Sequence, residues 1–217
     1  IVISILNCSG STEIVRKDNL GRVTKVAYYN GRTLRHLEET QYFGNSHNPK
    51  IVVYKKSLGM GLIPYKVEEY QFVNNNLASL SFYIYKDNKR NKTGVIKYYY
   101  TRNNPSKIEY YSYSKFLNKL FMFGLIQYNY KEGRLSFRRI IEFELNRKSK
   151  KSMQIGQYII FYKKKNKVKS LKSWIMDKVS NKIIKNEEEN VKLINAKIGI
   201  IEKLFSKSAR GMEFIHE

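Results

Sequence analysis

Residue types that commonly carry catalysis or bind metals are few in this chain and widely spaced. The histidines are His36, His47 and His216, so none lies three or four residues from another. A metal site needs several His, Cys or carboxylate ligands at close spacing. The single cysteine is Cys8, and no G-x-S-x-G sequence is present to hold a nucleophilic serine. The sequence therefore predicts neither a metal site nor a serine nucleophile.

Paired carboxylates are the next candidates for chemistry. Glu38–Glu39 and Glu68–Glu69 are adjacent pairs, and adjacent residues of a strand point to opposite faces, so neither pair can work together from one strand. Glu142 and Glu144 share a face, but the nearby Arg138–Arg139 pair favours a charge pairing across the sheet instead of an acid–base site.

A phosphate-binding loop is also absent from the sequence. Gly59-Met60-Gly61 has suitable glycines but lacks the G-K-[ST] ending, so we interpret it as a flexible connection. Because no set of residues points to a reaction, we predict a protein that is not an enzyme and that carries no cofactor.

Positive charge is the strongest feature of the composition. Forty-one Lys and Arg residues against 18 Asp and Glu give a net charge of +23. Such a charge attracts polyanions, and the candidate partners are acidic polysaccharide, anionic lipid and nucleic acid. The alternative is compositional, because AT-rich codons favour Lys, Asn, Ile, Tyr and Phe together. The candidate anion-binding residues are Lys148, Lys150, Lys151, Lys163, Lys164, Lys165, Lys167 and Lys169.

The first eight residues, Ile1 to Cys8, form an uncharged and mostly apolar run that ends at the single cysteine. A small polar segment, Ser9-Gly10-Ser11-Thr12, follows. This arrangement resembles the end of a bacterial lipoprotein signal peptide, although Leu6 and Asn7 fit only the looser forms of that pattern. The resemblance implies a residual signal peptide (1–8), a tether (9–20) and a lipid on Cys8. The alternative is a short strand with an ordinary buried cysteine.

Residues 21–176 repeat one pattern, in which an aromatic strand reaches a polar turn and a second strand returns. The clearest turn is Asn30-Gly31, a pair that favours the positive φ angles of a type I′ hairpin. Further turns are predicted near residues 75, 104, 132 and 166. We therefore predict a mainly β fold: an antiparallel meander of about ten strands, arranged as a single sheet or an open sandwich.

The last segment, 177–217, has a different pattern. Asn186 precedes three glutamates, which resembles a helix N-cap with a capping box. Apolar residues then recur with helical spacing from Val191 to Phe205. The pattern predicts a C-terminal α-helix over 187–207 that packs on the sheet, with a dimerising coiled coil as the alternative.

The stretch from Asp18 to Gly31, DNLGRVTKVAYYNG, resembles the YD-type repeats of Rhs-like bacterial proteins and the MORN-like hairpin repeats of bacterial envelope proteins. The stretch from Tyr128 to Leu135 resembles the second half of the same unit. Such families imply a β-meander surface that is used for contacts or scaffolding and has no catalytic site.

Two functional hypotheses follow from these features. The first is a lipid-anchored protein of the bacterial cell envelope, at the outer membrane or cell surface, with a binding or scaffolding role. The alternative is a basic cytoplasmic protein that binds nucleic acid, as the charge and the aromatic strands would allow.

Overall fold

A computed structural model describes residues 3–8, 11–59, 61–163, 166–177, 180 and 182–210, and for residues 3–8 it describes the backbone alone. The chain divides into two compact units, residues 1–93 and residues 94–217. This boundary falls inside the hairpin-repeat region. Both units are built from antiparallel strands, and the second also contains an α-helix.

Unit 1 contains seven described strands and the beginning of an eighth. They are β1 (Ile3–Cys8), β2 (Ser11–Lys17), β3 (Val23–Asn30), β4 (Thr33–Tyr42), β5 (Pro49–Leu58), β6 (Gly61–Val73), β7 (Asn76–Lys86) and β8 (Lys89–Thr101), which crosses the boundary. Unit 2 continues with β9 (Asn104–Ser114), β10 (Lys119–Lys131), β11 (Arg134–Asn146), β12 (Lys151–Tyr162), β13 (Val168–Met176), β14 (Ile183–Glu188) and the helix α1 (Val191–Ala209).

The predicted fold class is confirmed: the protein is mainly β, with strands that follow one another as an antiparallel meander and a helix near the C-terminus. The prediction for the first hairpin was wrong in detail: Asn30 pairs with Thr33, so the turn centres on Gly31 and Arg32, and Gly31 but not Asn30 has a positive φ angle. Both central residues have positive φ angles in the turns Asn74-Asn75, Arg102-Asn103 and Glu132-Gly133, as a type I′ turn requires. These turns lie where the sequence predicts them.

More strands are present than the ten that the sequence predicts. The strands beyond the five predicted hairpins are β1, β2, β5 and β14. A tight turn also lies between the second and third predicted hairpins, where Asp87 and Asn88 both adopt positive φ angles between β7 and β8. Arg147–Lys151 is likewise the turn between β11 and β12. At the N-terminus, β2 lies inside the segment assigned to a tether, and it pairs with β1 from Ser11 opposite Cys8 onward.

The helix begins later than predicted. Asn186 and the first two glutamates belong to β14, where Glu187 and Glu188 pair with Lys172 and Leu171 of β13. The N-cap is Asn190, whose side chain accepts hydrogen bonds from the backbone N–H groups of Lys192 and Leu193. The predicted start was wrong because both asparagines precede suitable residues, and pairing with β13 decides between them.

The helix packs on one face of the sheet of unit 2, as expected, and its buried residues are Ile194, Ile198, Ile201, Phe205 and Ala209. On the facing strands Ile126, Ile140 and Ile160 are at most 1 % exposed. Strand register places these three side chains on the same face. Each such isoleucine contributes about 1.5–3 kcal/mol by leaving water, so this layer dominates the stability of unit 2.

Two glycines bring the C-terminal end of α1 close to the strands. A Cβ atom on Gly124 would lie 2.7 Å from the ring of Phe205, and one on Gly94 would overlap the carbonyl oxygen of Ala209. Phe205 also packs against Tyr110 and Phe123, with ring centroids 5.1 and 5.8 Å away. The absence of two side chains therefore fixes how closely the helix approaches the sheet.

Gly94→Ala should destabilise unit 2 by about 1–3 kcal/mol, since the new methyl meets backbone that cannot move aside cheaply. Gly199→Ala is the matched control: it is an exposed helical glycine with open space around it, and alanine should stabilise the helix by about 0.5–1 kcal/mol. Urea unfolding followed through Trp174, the only tryptophan, reports on unit 2. Equal effects of the two substitutions would contradict the close approach.

Candidate anion-binding site

The candidate lysines lie at two opposite ends of strand β12. Lys148 and Lys150 occupy the turn before it and Lys151 is its first residue, whereas Lys163 and Lys167 occupy the turn after it. Twelve residues separate these ends, which is roughly 40 Å of extended chain. The remaining members of the set are Lys169, exposed on β13, and Lys164 and Lys165, which lie outside the described residues. The fold therefore does not unite these lysines in one patch.

One of the two ends borders a cavity of about 530 Å³ between the sheet and the helix. Strand β11, the turn between β12 and β13, and the first half of α1 contribute to its wall. The lining residues are Arg138, Tyr162, Asn166, Lys167, Val168, Val191, Asn195 and Ile198. The volume is within the range of small-ligand sites, and most of the polar groups in the wall can donate hydrogen bonds.

Arg138 forms the inner part of the wall, and its side chain is 14 % exposed. Its Nη1 atom donates to Oε1 of Glu202 on α1 at 2.7 Å, and the guanidinium also hydrogen-bonds to the hydroxyl of Tyr128. Its buried Nε has no hydrogen-bond partner among the described residues. A buried N–H without a partner costs stability, and this atom is closed off from solvent, so a ligand in the cavity would meet the exposed part of the guanidinium instead.

Lys167 and Asn166 form the outer part of the wall. The turn that carries them is closed by a hydrogen bond from the backbone N–H of Lys163 to the carbonyl of Lys167, 2.7 Å long. Asn166 has a φ angle of 55°, which asparagine tolerates better than most residues. Asn195 faces the turn from the helix. Cationic and amide donors from separate elements thus meet around one space, as recognition of an anion requires.

The sequence identified Lys167 but missed Arg138, Tyr162 and Asn195. The charge pairing predicted between Arg138–Arg139 and the two glutamates is not formed by Arg138 or Glu142: Arg138 pairs with Glu202, and Glu142 accepts a hydrogen bond from Tyr158. The sequence did contain one indication that Arg138 lies under the helix. Arg138 and Ile140 are two residues apart in one strand, so a buried isoleucine places the arginine on the helix-covered face.

Unit 1 has a separate cavity of about 250 Å³, whose wall contains Tyr28, His36, Glu38, Tyr54 and Tyr65. Burial raises the pKa of Glu38, a hydrogen bond from Tyr28 opposes this, and the charge of Glu68 adds to the rise. No cation among the described residues forms an ion pair with Glu38. Its neighbour Glu39 faces the other side and pairs with Lys25 and Lys55, which lower its pKa.

The helix-free face of unit 2 carries an ordered polar cluster. The Glu109 carboxylate accepts from the hydroxyls of Tyr99 and Tyr111 at 2.7 and 2.9 Å, and it pairs with Lys107 at 2.8 Å. The ammonium of Lys107 lies 4.0 Å from the centre of the Tyr99 ring, and that of Lys97 lies 5.1 Å from the Tyr111 ring. Burial and the nearby carboxylate together raise the pKa of Tyr111 to about 12. These lysines and rings are already engaged with each other.

The described residues contain neither a cluster of metal ligands nor a membrane-spanning helix. Across the described ranges, no three His, Cys, Asp or Glu side chains come together in a way that could hold a metal ion. The helix in the described part of the chain does not have the length and hydrophobicity that crossing a bilayer would require.

Comparison with known proteins finds only distant structural likeness. No protein-family model matches the sequence, and no curated protein matches it. A Bacteroides fragilis protein of unknown function has 14 % identity over 58 % of this chain and 91 % of its own, with a TM-score of 0.42. A DUF3836 family protein from Bacteroides vulgatus has 16 % identity over 42 % of this chain and 91 % of its own, with a TM-score of 0.33. Another DUF3836 protein, from Parabacteroides distasonis, has 16 % identity over 41 % of this chain and 86 % of its own, with a TM-score of 0.29.

Glu38→Gln and Glu39→Gln should have opposite effects on the stability of unit 1 as pH changes. A raised pKa means that Glu38 favours folding while protonated, and that this contribution is lost as pH rises through its folded pKa. Glu39 has a lowered pKa, so its contribution is present above its unfolded pKa and is lost as pH falls.

Relative to wild type, Glu38→Gln should therefore gain stability between about pH 4 and pH 7, whereas Glu39→Gln should lose it over the same interval. Urea unfolding measured by circular dichroism at both pH values tests this. A stability difference that is independent of pH for both variants would contradict the two assigned environments.

Proposed function

We propose that this protein is a non-catalytic binding protein of the bacterial cell envelope, anchored by a lipid on Cys8, whose cavity holds an anionic group of an acidic polysaccharide. The observation that carries this proposal is the convergence of Arg138, Lys167 and Asn195 from three elements around one space of about 530 Å³. The other charged side chains are spread along the chain, whereas these three residues line a single cavity.

An acidic sugar suits this cavity better than a bare ion. A sulfate or carboxylate oxygen could accept from the exposed part of the Arg138 guanidinium while Lys167 supplies further positive charge nearby. The apolar part of the wall, Val168, Val191 and Ile198, suits the C–H faces of a sugar ring. Glu202 balances the charge of Arg138, so Lys167 supplies the net positive charge that attracts the anion.

The envelope location rests on the N-terminal sequence. In lipoprotein processing the chain would be cut before Cys8, so Ile3–Asn7 would leave and β2 would become the first strand. One acyl chain anchors only marginally, and the several chains of a bacterial lipoprotein would hold the unit at a membrane. The +23 charge of the chain would then also favour contact with acidic polymers at the surface.

Nucleic acid is the alternative ligand, and the helix-free face is where it would bind. Base stacking needs free aromatic faces beside cationic groups. On this face the ring of Tyr99 is covered by Lys107, and both groups are bonded to Glu109. Stacking would require breaking this cluster, so the observation favours the cavity over the open face as the binding site.

Metabolic labelling of the full-length protein with a palmitate analogue tests the anchor. We expect label on the wild-type protein and none on Cys8→Ala, because Cys8 is the only thiol in the sequence. Recovery of unlabelled wild-type protein from the cytosol would contradict the location and would favour the nucleic-acid alternative.

Lys167→Gln should weaken binding of a short heparin fragment about three- to tenfold, and it should reduce the salt dependence by about one released counterion. Lys148→Gln is the matched control, since it removes the same charge from an exposed turn at the other end of β12. Calorimetric titration at two salt concentrations measures both variants. If both variants lose the same heparin affinity, the binding is general attraction by the +23 charge and not recognition in the cavity. If the wild-type protein binds an RNA of equal charge more tightly than heparin, the nucleic-acid alternative is favoured.

A further inference from the structure

Large apolar side chains are exposed along the last strand and the neighbouring side of the helix. Ile183 and Ile184 on β14 are 63 % and 54 % exposed, and Ile200 on α1 is 60 % exposed. Leu193, one heptad before Ile200, is also exposed. Ile183 and Ile184 point to opposite faces of the strand, so Ile184 is the one that lies on the helix side with Ile200. Grouped exposed apolar side chains on a folded surface mark interaction sites, since single exposed residues are common but groups are not.

Strand β14 is an edge of the sheet in unit 2. It pairs with β13 on one side, and none of the described residues pairs with its other side. An edge strand presents unpaired N–H and C=O groups that can pair with another strand. The sequence of β14, Ile-Ile-Lys-Asn-Glu-Glu, carries one lysine and two glutamates, so a strand that pairs with this edge must complement these charges.

A groove runs beside this edge, with a volume of about 330 Å³. Its floor contains Leu171 and Ile175 of β13, and Ile184 and Ile200 form its two sides. Because most of these groups are apolar, a partner that covers the groove must present apolar side chains next to a strand that can pair with β14.

The charges of β14 indicate which strand fits. If a second β14 pairs antiparallel with the first, centred on Asn186, then Lys185 of each copy stands opposite Glu187 of the other. Opposite charges in directly facing positions stabilise a strand pair. Glu187 already lies 3.3 Å from Lys172 of β13 on the same face, so the pairing would continue a row of alternating charges. A register centred on Lys185 would instead set two lysines against each other.

We propose that two copies of this chain form a symmetric dimer by antiparallel pairing of their β14 strands about Asn186. A twofold axis perpendicular to the sheet keeps both helices on the same face, so the exposed sides of the two helices, with Leu193 and Ile200, face each other above the joined strands. In this register Glu188 of the second copy stands opposite Ile184, and the apolar side chains Leu193 and Ile200 of the second helix complete the cover of the groove. This surface is separate from the cavity at Arg138 and Lys167, and the proposal does not depend on anion binding.

Sedimentation of the purified protein over a concentration series tests the dimer. We expect a dimer for wild type at about 100 µM, and a dissociation constant at least about tenfold higher for Lys185→Glu and for Glu187→Lys, since each sets like charges opposite each other twice. An equimolar mixture of the two variants should dimerise as wild type does, because each copy then faces its complement. Lys203→Glu, the same charge change on an exposed residue of α1, is the control and should leave the dimer unchanged.

Three results would overturn the proposal. The first is that the wild-type protein stays monomeric at about 100 µM. The second is that Lys185→Glu or Glu187→Lys alone dimerises as well as wild type. The third is that both variants dimerise weakly and mixing them does not restore the dimer. Rescue in the mixture also excludes misfolding as the cause of weak association, because a misfolded chain would not recover by mixing.

Discussion

The contact between α1 and the sheet of unit 2 is the constraint on which the rest of this unit depends. A sheet with two solvated faces has little apolar surface to bury, and the layer of Ile126, Ile140 and Ile160 leaves water only because the helix covers it. Gly94 and Gly124 set how closely the helix approaches. The cavity at Arg138 exists because the N-terminal half of the helix and the turn after β12 meet at the edge of this contact.

Unit 1 is held together differently. Among its described residues, few apolar side chains are fully buried, chiefly Val67 and Phe82. Polar side chains supply further contacts: Glu39 bridges Lys25 and Lys55 on the two neighbouring strands, and the buried Glu68 joins Lys66 and Tyr70 within its own strand. Each exposed ion pair contributes only a few tenths of a kcal/mol to about 1 kcal/mol to stability. The stability of unit 1 is therefore a sum of many small contributions and should change with pH and salt concentration.

The meander could be predicted because hairpin turns are encoded locally. Asparagine and glycine tolerate positive φ angles, and they hold the second central position of the turns at Asn75, Asn103 and Gly133, which needs no information from distant residues. The start of the helix and the role of Arg138 could not be predicted in the same way. Asn186 and Asn190 are both suitable caps, and strand pairing with β13 chose between them. Arg138 meets Glu202 across 64 residues of sequence, a contact that only the packed helix creates.

The lysine-rich turns also show the difference between what the local sequence encodes and what the packed fold adds. Lysine-rich turns occur at both ends of β12, and composition alone does not indicate which end is the better anion-binding site. Only at the end with Lys167 does the described fold add Arg138 and the amide of Asn195 around one open cavity. An exposed lysine gains little from an anion because water and salt screen the pair, whereas the charge of a partly buried arginine is screened less. The proposed binding of an anion is therefore expected at the cavity and not at the turn before β12.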